Sequence, residues 1–147
     1  RNEYRLVCCG GGVFSKKEAE MISKSNLENN FIQIEARDKK IANLYYYASA
    51  FVYPSKYEGF GIPIIEAMYN KCPVIASNVS SLPEVGGDCA LYFNPDSVED
   101  LNSKINLVLN DKNLAEELKQ KGFQREKEFS WDKCAKETFE FYREVNG

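Results

Sequence analysis

The chain has 147 residues, a hydrophobic fraction of 44%, a charged fraction of 28% and a net charge of −3, values that fit one globular domain with its own core. Because it contains no block of Lys and Arg, nucleic-acid binding is not expected, and no apolar run approaches the length of a membrane span. Histidine is absent, which removes the usual general base and the usual metal ligand and excludes a Ser-His-Asp triad.

The start of the chain and its cysteines suggest where the protein works. The first residue is Arg1 rather than Met, so we expect this chain to be a piece of a longer protein. It shows no secretory signal peptide. Its five cysteines contain no Cys-x-x-Cys pair, and all but Cys134 lie in or beside apolar runs. Such cysteines are typical of buried, reduced thiols in a cytosolic protein.

Short apolar runs alternate with helical patterns over the first two thirds of the chain. Strands are predicted at residues 6–9, 31–34, 50–53, 73–76 and 90–93. The helices predicted between them run from Ser15 to about Leu27, from a cap at Asp38 through Ile41, Leu44, Tyr45 and Ala48, and from about Ile62 to Asn70 with Pro63 tolerated in the first turn.

The last third is predicted to be a helical C-terminal segment. Ser97 and Asp100 form the pattern of a capping box, and Ser130 can cap the last helix. Apolar residues recur at helical spacing in three successive stretches. Their members are Val98, Leu101, Ile105, Val108 and Leu109, then Leu114, Leu118 and Phe123, and finally Trp131, Cys134, Thr138, Phe141 and Val145.

Apolar strands that alternate with helices predict an α/β fold, a Rossmann-like doubly wound parallel sheet covered on both faces. Ligands bind such sheets at the carboxyl ends of the strands. Three loops follow predicted strands, at residues 10–12, 35–38 and 55–61, and we expect them to line one crevice. The glycines at 10–12 do not complete a Gly-x-Gly-x-x-Gly fingerprint, so they predict a tight turn near the crevice.

The segment at residues 58–68, EGFGIPIIEAM, carries the most chemistry. Gly59 and Gly61 allow backbone N–H groups at the start of a helix to approach an anion such as a diphosphate. Glu58 and Glu66, on either side, can accept hydrogen bonds from the hydroxyl groups of a polyol. One short segment therefore holds groups for a phosphate and for a sugar, which points to an activated sugar.

Each of these residues also has a purely structural interpretation. Gly-x-Gly is a common strand-to-helix turn, Glu66 can complement the positive end of the helix, and Glu58 can be a solvated loop residue. Glu66 stands among apolar residues, however, and a carboxylate in such a stretch needs a partner. Lys56 and Lys71 are predicted to be surface residues, and the three tyrosines at 45–47 to be part core and part surface.

The segment at 58–68 resembles the Glu-x7-Glu signature of family 4 glycosyltransferases. The resemblance covers nearly the whole chain, because further pieces match the family's order and spacing: YYYASAFVYPS at 45–55, CPVIA at 72–76, LPEVGG at 82–87, residues 90–95 and FSW at 129–131. That family has the GT-B architecture, two Rossmann-like domains that face each other across a cleft. Residues 1–147 resemble its C-terminal, donor-binding domain alone.

The resemblance implies donor-binding roles for one set of residues. Glu66 would hold the ribose hydroxyls of a nucleotide-sugar, and Glu58 would lie against the transferred sugar. The remaining contacts would come from backbone, at the turn Gly59, Phe60, Gly61 and Ile62 for the sugar or diphosphate, and near Arg37 for the nucleobase.

The implied activity is retaining transfer of a hexose, such as mannose or glucose, from a UDP- or GDP-sugar to a glycan or a lipid-linked acceptor in polysaccharide biosynthesis. No metal or other cofactor is expected, since the family usually works without one and the chain has no Asp-x-Asp pair. The family's basic pair that neutralises the diphosphate is expected before Arg1. With the N-terminal acceptor domain also missing, the isolated chain is expected to bind nucleotide weakly without turnover.

Two alternatives stay open. One is a non-catalytic nucleotide- or sugar-binding module, and the other is a nucleotide-sugar epimerase domain, although the acidic pair argues against an epimerase. The expected partners are a nucleotide-diphosphate sugar and the missing N-terminal domain. The expected location is the cytoplasm, with peripheral association of the full-length enzyme with a membrane left open.

Overall fold

The computed structural model describes residues 4–37 and 39–146. Asp38, the predicted cap of the second helix, lies outside the described residues. The chain divides into two compact units, Arg1–Ile41 and Ala42–Gly147. Each unit contains parallel strands joined by helices, which is the α/β organisation that the alternating pattern predicts.

The first unit is built on a pair of parallel strands. Strand β1 (Leu6–Cys9) pairs with β2 (Phe31–Ile34), so that Leu6 lies beside Phe31. Helix α1 (Lys16–Lys24) connects them and begins with a complete capping box. The hydroxyl of Ser15 accepts from the N–H of Glu18 at 3.3 Å, and the Glu18 carboxylate accepts from the N–H of Ser15 at 2.7 Å. Helix α1 is shorter than the predicted 15–27, because Asn26 adopts a left-handed φ of +56°.

The second unit contains a three-stranded parallel sheet in the order β3-β4-β5. Helix α2 (Lys39–Tyr47) leads into it, and the C-terminal helices follow its last strand. The strands are Phe51–Tyr53 (β3), Val74–Ser77 (β4) and Ala90–Phe93 (β5), with helices Ile62–Tyr69 (α3) and Leu82–Gly86 (α4) as crossovers, and then Val98–Asn110 (α5), Lys112–Arg125 (α6) and Trp131–Asn146 (α7).

The core of this unit lies on both faces of β4. All four residues of β4 are buried, and because successive side chains of a strand point to opposite faces, both faces must be covered. Ile75 packs with Phe93 of β5, Val108 of α5 and Leu118 of α6. Helices α3 and α4 contribute their own fully buried residues, which are Ile64, Ala67, Met68, Leu82 and Val85.

The predicted strands and helices are confirmed with small shifts of their ends, and one α-helix among the described residues was not predicted. The capping role of Ser97 is present, since its hydroxyl accepts from the N–H of Asp100 at 3.1 Å. Helix α4 was not predicted; it begins within the segment LPEVGG and has proline in its first turn. The strands form two hydrogen-bonded sheets of two and three strands.

Helix α7 differs from the other long helices in its burial. Its apolar stripe has the predicted helical spacing, yet none of its residues is buried, and Trp131 is 81% exposed. Among the described residues, no helix is both long enough and apolar enough to cross a membrane.

Candidate functional site

The loop between β3 and α3, residues 54–61, is anchored at its start by a buried serine. Ser77 is the last residue of β4 and is fully buried. Its hydroxyl lies 2.6 Å from the carbonyl oxygen of Ser55 and 3.2 Å from that of Tyr53. The Ser77 hydroxyl of β4 thus forms hydrogen bonds to backbone carbonyl oxygens at the end of β3. A buried hydroxyl needs such hydrogen-bond partners.

Two more serines, from the turn after β4, hold the middle of the loop. The Ser80 hydroxyl donates to the carbonyl oxygen of Glu58 at 2.6 Å, and the N–H of Glu58 approaches that hydroxyl at 3.4 Å. The Ser81 hydroxyl reaches the carbonyl oxygens of Phe60 at 2.8 Å and of Glu58 at 3.1 Å. The backbone on both sides of Gly59 is therefore fixed from outside the loop. Sequence reasoning missed this serine clamp (Ser77, Ser80 and Ser81), although the polar run directly after an apolar strand was a usable signal.

Helix α3 begins at a glycine that no other residue could easily replace. Gly61 is buried and has a φ of +109°, and a Cβ atom there would lie 2.8 Å from Cδ2 of Leu82. No side chain caps the helix start, and Pro63 in the first turn has no N–H. The N–H of Ile64 bonds to the carbonyl oxygen of Gly61 at 2.9 Å, so within the first turn it is the N–H of Ile62 that is offered to an anion without a side-chain cap. Gly59 has neither a left-handed φ nor a close neighbour.

Glu58 is half-buried and bonded to a tyrosine of β3. The Tyr53 hydroxyl donates to Oε1 of Glu58 at 2.6 Å. This hydrogen bond, with a smaller contribution from the Ser55 hydroxyl, holds the pKa of Glu58 below its usual range. Burial, followed by the bond to Glu58 and its charge, raises the pKa of Tyr53 to about 12. At neutral pH the pair is therefore a carboxylate and a neutral phenol.

Glu66 lies on the exposed side of α3 and has a tyrosine partner of its own. The Tyr45 hydroxyl donates to Oε2 of Glu66 at 3.4 Å. Tyr45 is the buried member of the tyrosine triplet, while Tyr46 and Tyr47 are exposed, as predicted. The hydrogen-bond partner predicted for Glu66 thus exists, although Glu66 as a whole residue is exposed. Both carboxylates of the Glu-x7-Glu segment are held by tyrosine hydroxyls.

The family model described as "Glycosyl transferases group 1" matches residues 1–125. The chain belongs to the group 1 glycosyltransferases. This membership confirms the broader family that the sequence motifs indicate.

Individual proteins agree with the family. The chain is 43% identical over 106 residues to the O-antigen chain mannosyltransferase B of Escherichia coli, an alignment that covers 72% of this chain and 28% of that protein. It superposes on the sucrose-phosphate synthase of Thermosynechococcus elongatus with a TM-score of 0.80 and 29% identity, over 96% of this chain and 38% of that one.

A third comparison is with a mutant of S. aureus TarM, solved in complex with Fondaparinux, alpha-GlcNAc-glycerol and UDP. The TM-score is 0.72 and the identity 27%, over 82% of this chain and 25% of that one. The fold is accordingly the Rossmann-like half of a GT-B glycosyltransferase. The chain spans less than half the length of each of these proteins.

The remaining predicted site residues of this group 1 glycosyltransferase lie in different places. Phe60 and Ile62 are 46% and 48% exposed, at the start of α3, and the Phe60 ring meets the edge of Phe129 at 5.8 Å between centroids. Arg37 is exposed in the first unit, where its carbonyl accepts from the N–H of Lys40. The shared crevice of the three loops, and the nucleobase role of Arg37, stay predictions.

The two lysines near the segment are surface residues, as predicted. Lys56 is exposed and forms an ion pair with Asp96. Lys71 is exposed and lies with its ammonium group 4.6 Å from the ring centroid of Phe123. Within residues 4–37 and 39–146, no three Cys, Asp or Glu side chains come together as ligands for a metal ion would.

Proposed function

We propose that this chain is the C-terminal, donor-binding domain of a retaining hexosyltransferase of glycosyltransferase family 4. It binds a UDP- or GDP-sugar, and the complete enzyme transfers a hexose such as mannose or glucose in polysaccharide biosynthesis. The 43% identity to an E. coli protein named an O-antigen chain mannosyltransferase supports this class of reaction. The UDP in the TarM complex supports a nucleotide-diphosphate donor.

The observation that carries the proposal is the Glu58 carboxyl, held at 2.6 Å by the Tyr53 hydroxyl shortly before helix α3, whose N-cap is Gly61. When the sugar leaves its diphosphate, positive charge develops on the sugar ring and negative charge on the leaving oxygens. A fixed carboxylate stabilises the first. Uncapped N–H groups at a helix start stabilise the second. On this proposal Glu58 lies against the transferred sugar, and the backbone of Gly59, Phe60, Gly61 and Ile62 meets the diphosphate.

Glu66 is proposed to accept hydrogen bonds from the two ribose hydroxyls of the donor. Its exposure and its place one turn into α3 leave its carboxylate within reach of a nucleotide whose phosphates lie at the helix start. Arg37 is proposed to border the nucleobase through its backbone. The residues that neutralise the diphosphate and bind the acceptor are proposed to lie outside residues 1–147, so the isolated chain binds donor without transferring sugar.

Calorimetric titration of the chain with UDP, GDP, UDP-glucose and GDP-mannose tests this assignment. We expect Glu66→Gln to weaken the preferred nucleotide by about 10-fold or more, because hydrogen bonds to a charged acceptor are lost. Glu116→Gln, on the exposed side of α6, is the matched control and should bind like wild type. If the chain binds none of the four compounds, or if the two variants bind the preferred nucleotide with equal affinity, the donor-site assignment is contradicted.

A transfer assay with radiolabelled donor separates the enzyme domain from the alternative of a binding module. The chain alone should release no labelled product, and a chain extended to the length of its relatives should. Transfer by the isolated chain would show that residues 1–147 already hold the diphosphate-neutralising and acceptor-binding groups that we place elsewhere.

A further inference from the structure

Three aromatic side chains connect the two carboxylates of the site. Tyr53, which holds Glu58, stacks on Phe51 with ring centroids 5.6 Å apart and an angle of 26° between the planes. Phe51 in turn meets Tyr45 edge to face, at 5.0 Å and 87°. The Tyr45 hydroxyl then donates to Glu66. The path from one carboxylate to the other is continuous, with a hydrogen bond at each end and two ring contacts between.

The local structure explains why these rings meet. Phe51 and Tyr53 are two positions apart on β3, so their side chains lie on the same face of the strand. Tyr45 lies in the last turn of α2, and a short connection brings it back against Phe51. Offset stacking and edge-to-face contact are the two arrangements that aromatic rings prefer, and neither ring pair needs a strained geometry. The three rings form a single packed unit.

We propose that Tyr45, Phe51 and Tyr53 form an aromatic brace that positions Glu58 and Glu66 relative to each other, and so matches their separation to one nucleotide-sugar donor. The three are positioning residues, since they act through the two carboxylates. The inference rests on the proposed function for the roles of Glu58 and Glu66. The brace itself is defined by contacts within the second unit.

The brace has unequal ends. The bond from Tyr53 to Glu58 is 2.6 Å long, and the bond from Tyr45 to Glu66 is 3.4 Å, so the sugar-facing carboxylate is held more tightly. Tyr53 stays protonated at all physiological pH values because its pKa is raised to about 12, and it therefore always donates. Glu58 consequently acts as an anion and a hydrogen-bond acceptor, whereas Glu66 keeps some freedom to adjust to the ribose.

The test uses three conservative variants, Tyr53→Phe, Tyr45→Phe and Phe51→Met. The first two remove only a hydroxyl, and the third keeps both hydroxyls while it replaces the connecting ring by a flexible side chain of similar volume. Tyr142→Phe on α7 is the control. Carboxyl-detected NMR follows the titration of Glu58 without ligand, and calorimetry measures the affinity for UDP, UDP-glucose, GDP and GDP-mannose.

Tyr53→Phe should raise the pKa of Glu58 towards its ordinary value and weaken the preferred nucleotide-sugar by about 3- to 10-fold, with the free nucleotide changed by less than about 2-fold. Tyr45→Phe should weaken nucleotide and nucleotide-sugar alike by about 2- to 3-fold, because the 3.4 Å bond is long, and should leave the Glu58 titration unchanged. Phe51→Met should change both the pKa of Glu58 and the affinity for the nucleotide. This is the result expected if the Phe51 ring connects the two ends of the brace.

A folded Phe51→Met variant in which neither the Glu58 titration nor any affinity changes would overturn the brace. An unchanged titration in Tyr53→Phe would do the same. If wild type binds none of the nucleotides, the proposed function fails, while the ligand-free titrations of Tyr53→Phe and Phe51→Met still decide whether the brace exists.

Discussion

Two glycine-containing loops follow parallel strands in this protein, and they are built differently. In the loop after β1, Gly10, Gly11 and Gly12 have φ values of +83°, +77° and +75°, are exposed, and have nothing within 4 Å of where a Cβ would lie. In the loop after β3, Gly61 is buried against Leu82, and serine side chains hold the backbone of the residues before it.

The difference shows that glycine alone does not fix the backbone of a loop from outside. Glycine permits the left-handed backbone in both places. Of the two loops, as far as the described residues show, only the one after β3 has its carbonyl oxygens bonded to side-chain hydroxyls, from the end of β4 and the turn that follows it. The hydrogen bonds of the loop after β1 lie at its two ends, from the N–H of Gly10 to Ile34 and from that of Phe14 to Gln33. A site that must hold a ligand in one geometry needs this kind of outside support.

The largest expected effect on stability comes from replacing one glycine by alanine in each loop. Gly61→Ala should destabilise the second unit by about 2–4 kcal/mol, because it combines a left-handed backbone with overpacking against Leu82. Gly11→Ala, which has the backbone penalty alone, should cost about 1–2 kcal/mol in the first unit. Hydrogen exchange of the β4 and β1 amides measures the two effects separately. Equal costs would mean that the packing around Gly61 adds nothing.

A smaller effect is expected from the serine clamp. Ser77→Ala leaves the carbonyl oxygens of Tyr53 and Ser55 without their buried hydroxyl partner, which should cost about 1–3 kcal/mol. Ser103→Ala, at an exposed position of α5, is the control and should change stability by no more than about 0.5 kcal/mol. Urea unfolding of the two variants measures both. A Ser77 variant as stable as the control would show that the loop holds its shape without the clamp.

The smallest expected effect is the contribution of Glu58 to the loss of stability at low pH. Its folded-state pKa is lowered, so the stability it contributes is fully present above the ordinary glutamate pKa of about 4.3 and is lost as the pH falls through the folded value. Between about pH 5 and pH 3, wild type should therefore lose more stability than Glu58→Gln. Urea midpoints at several pH values check this. Tyr53→Phe, which removes the main cause of the shift, should also flatten the curve.

The strands and helices were predictable because their patterns are local. The apolar runs at β4 and β5 are short, continuous and bounded by polar residues, as strands covered on both faces are. The caps at Ser15 and Ser97 are set by residues within one turn. Helix α4 was missed because its five residues are too few to show a helical period, and the proline and glycines of LPEVGG are residues that occur more often in turns than within helices.

The fine structure of the site depends on contacts between residues far apart in the sequence. Ser80 lies 22 positions from Glu58, and Tyr45 lies 21 from Glu66. Such pairings depend on strand register and crossover geometry, which no local pattern reports. Helix α7 gives the converse case: its periodicity predicted the helix correctly, but periodicity cannot tell whether an apolar stripe is covered, and here it is exposed.

The distribution of the cysteines makes the protein convenient to label. Cys72 and Cys89 are buried, and burial raises the pKa of both thiols and that of Cys8, which slows their reaction with maleimides. The exposed thiols are Cys9 in the first unit and Cys134 in the second. A fluorescent donor and acceptor attached there would report the distance between the two units while nucleotide is added, without any engineered attachment site.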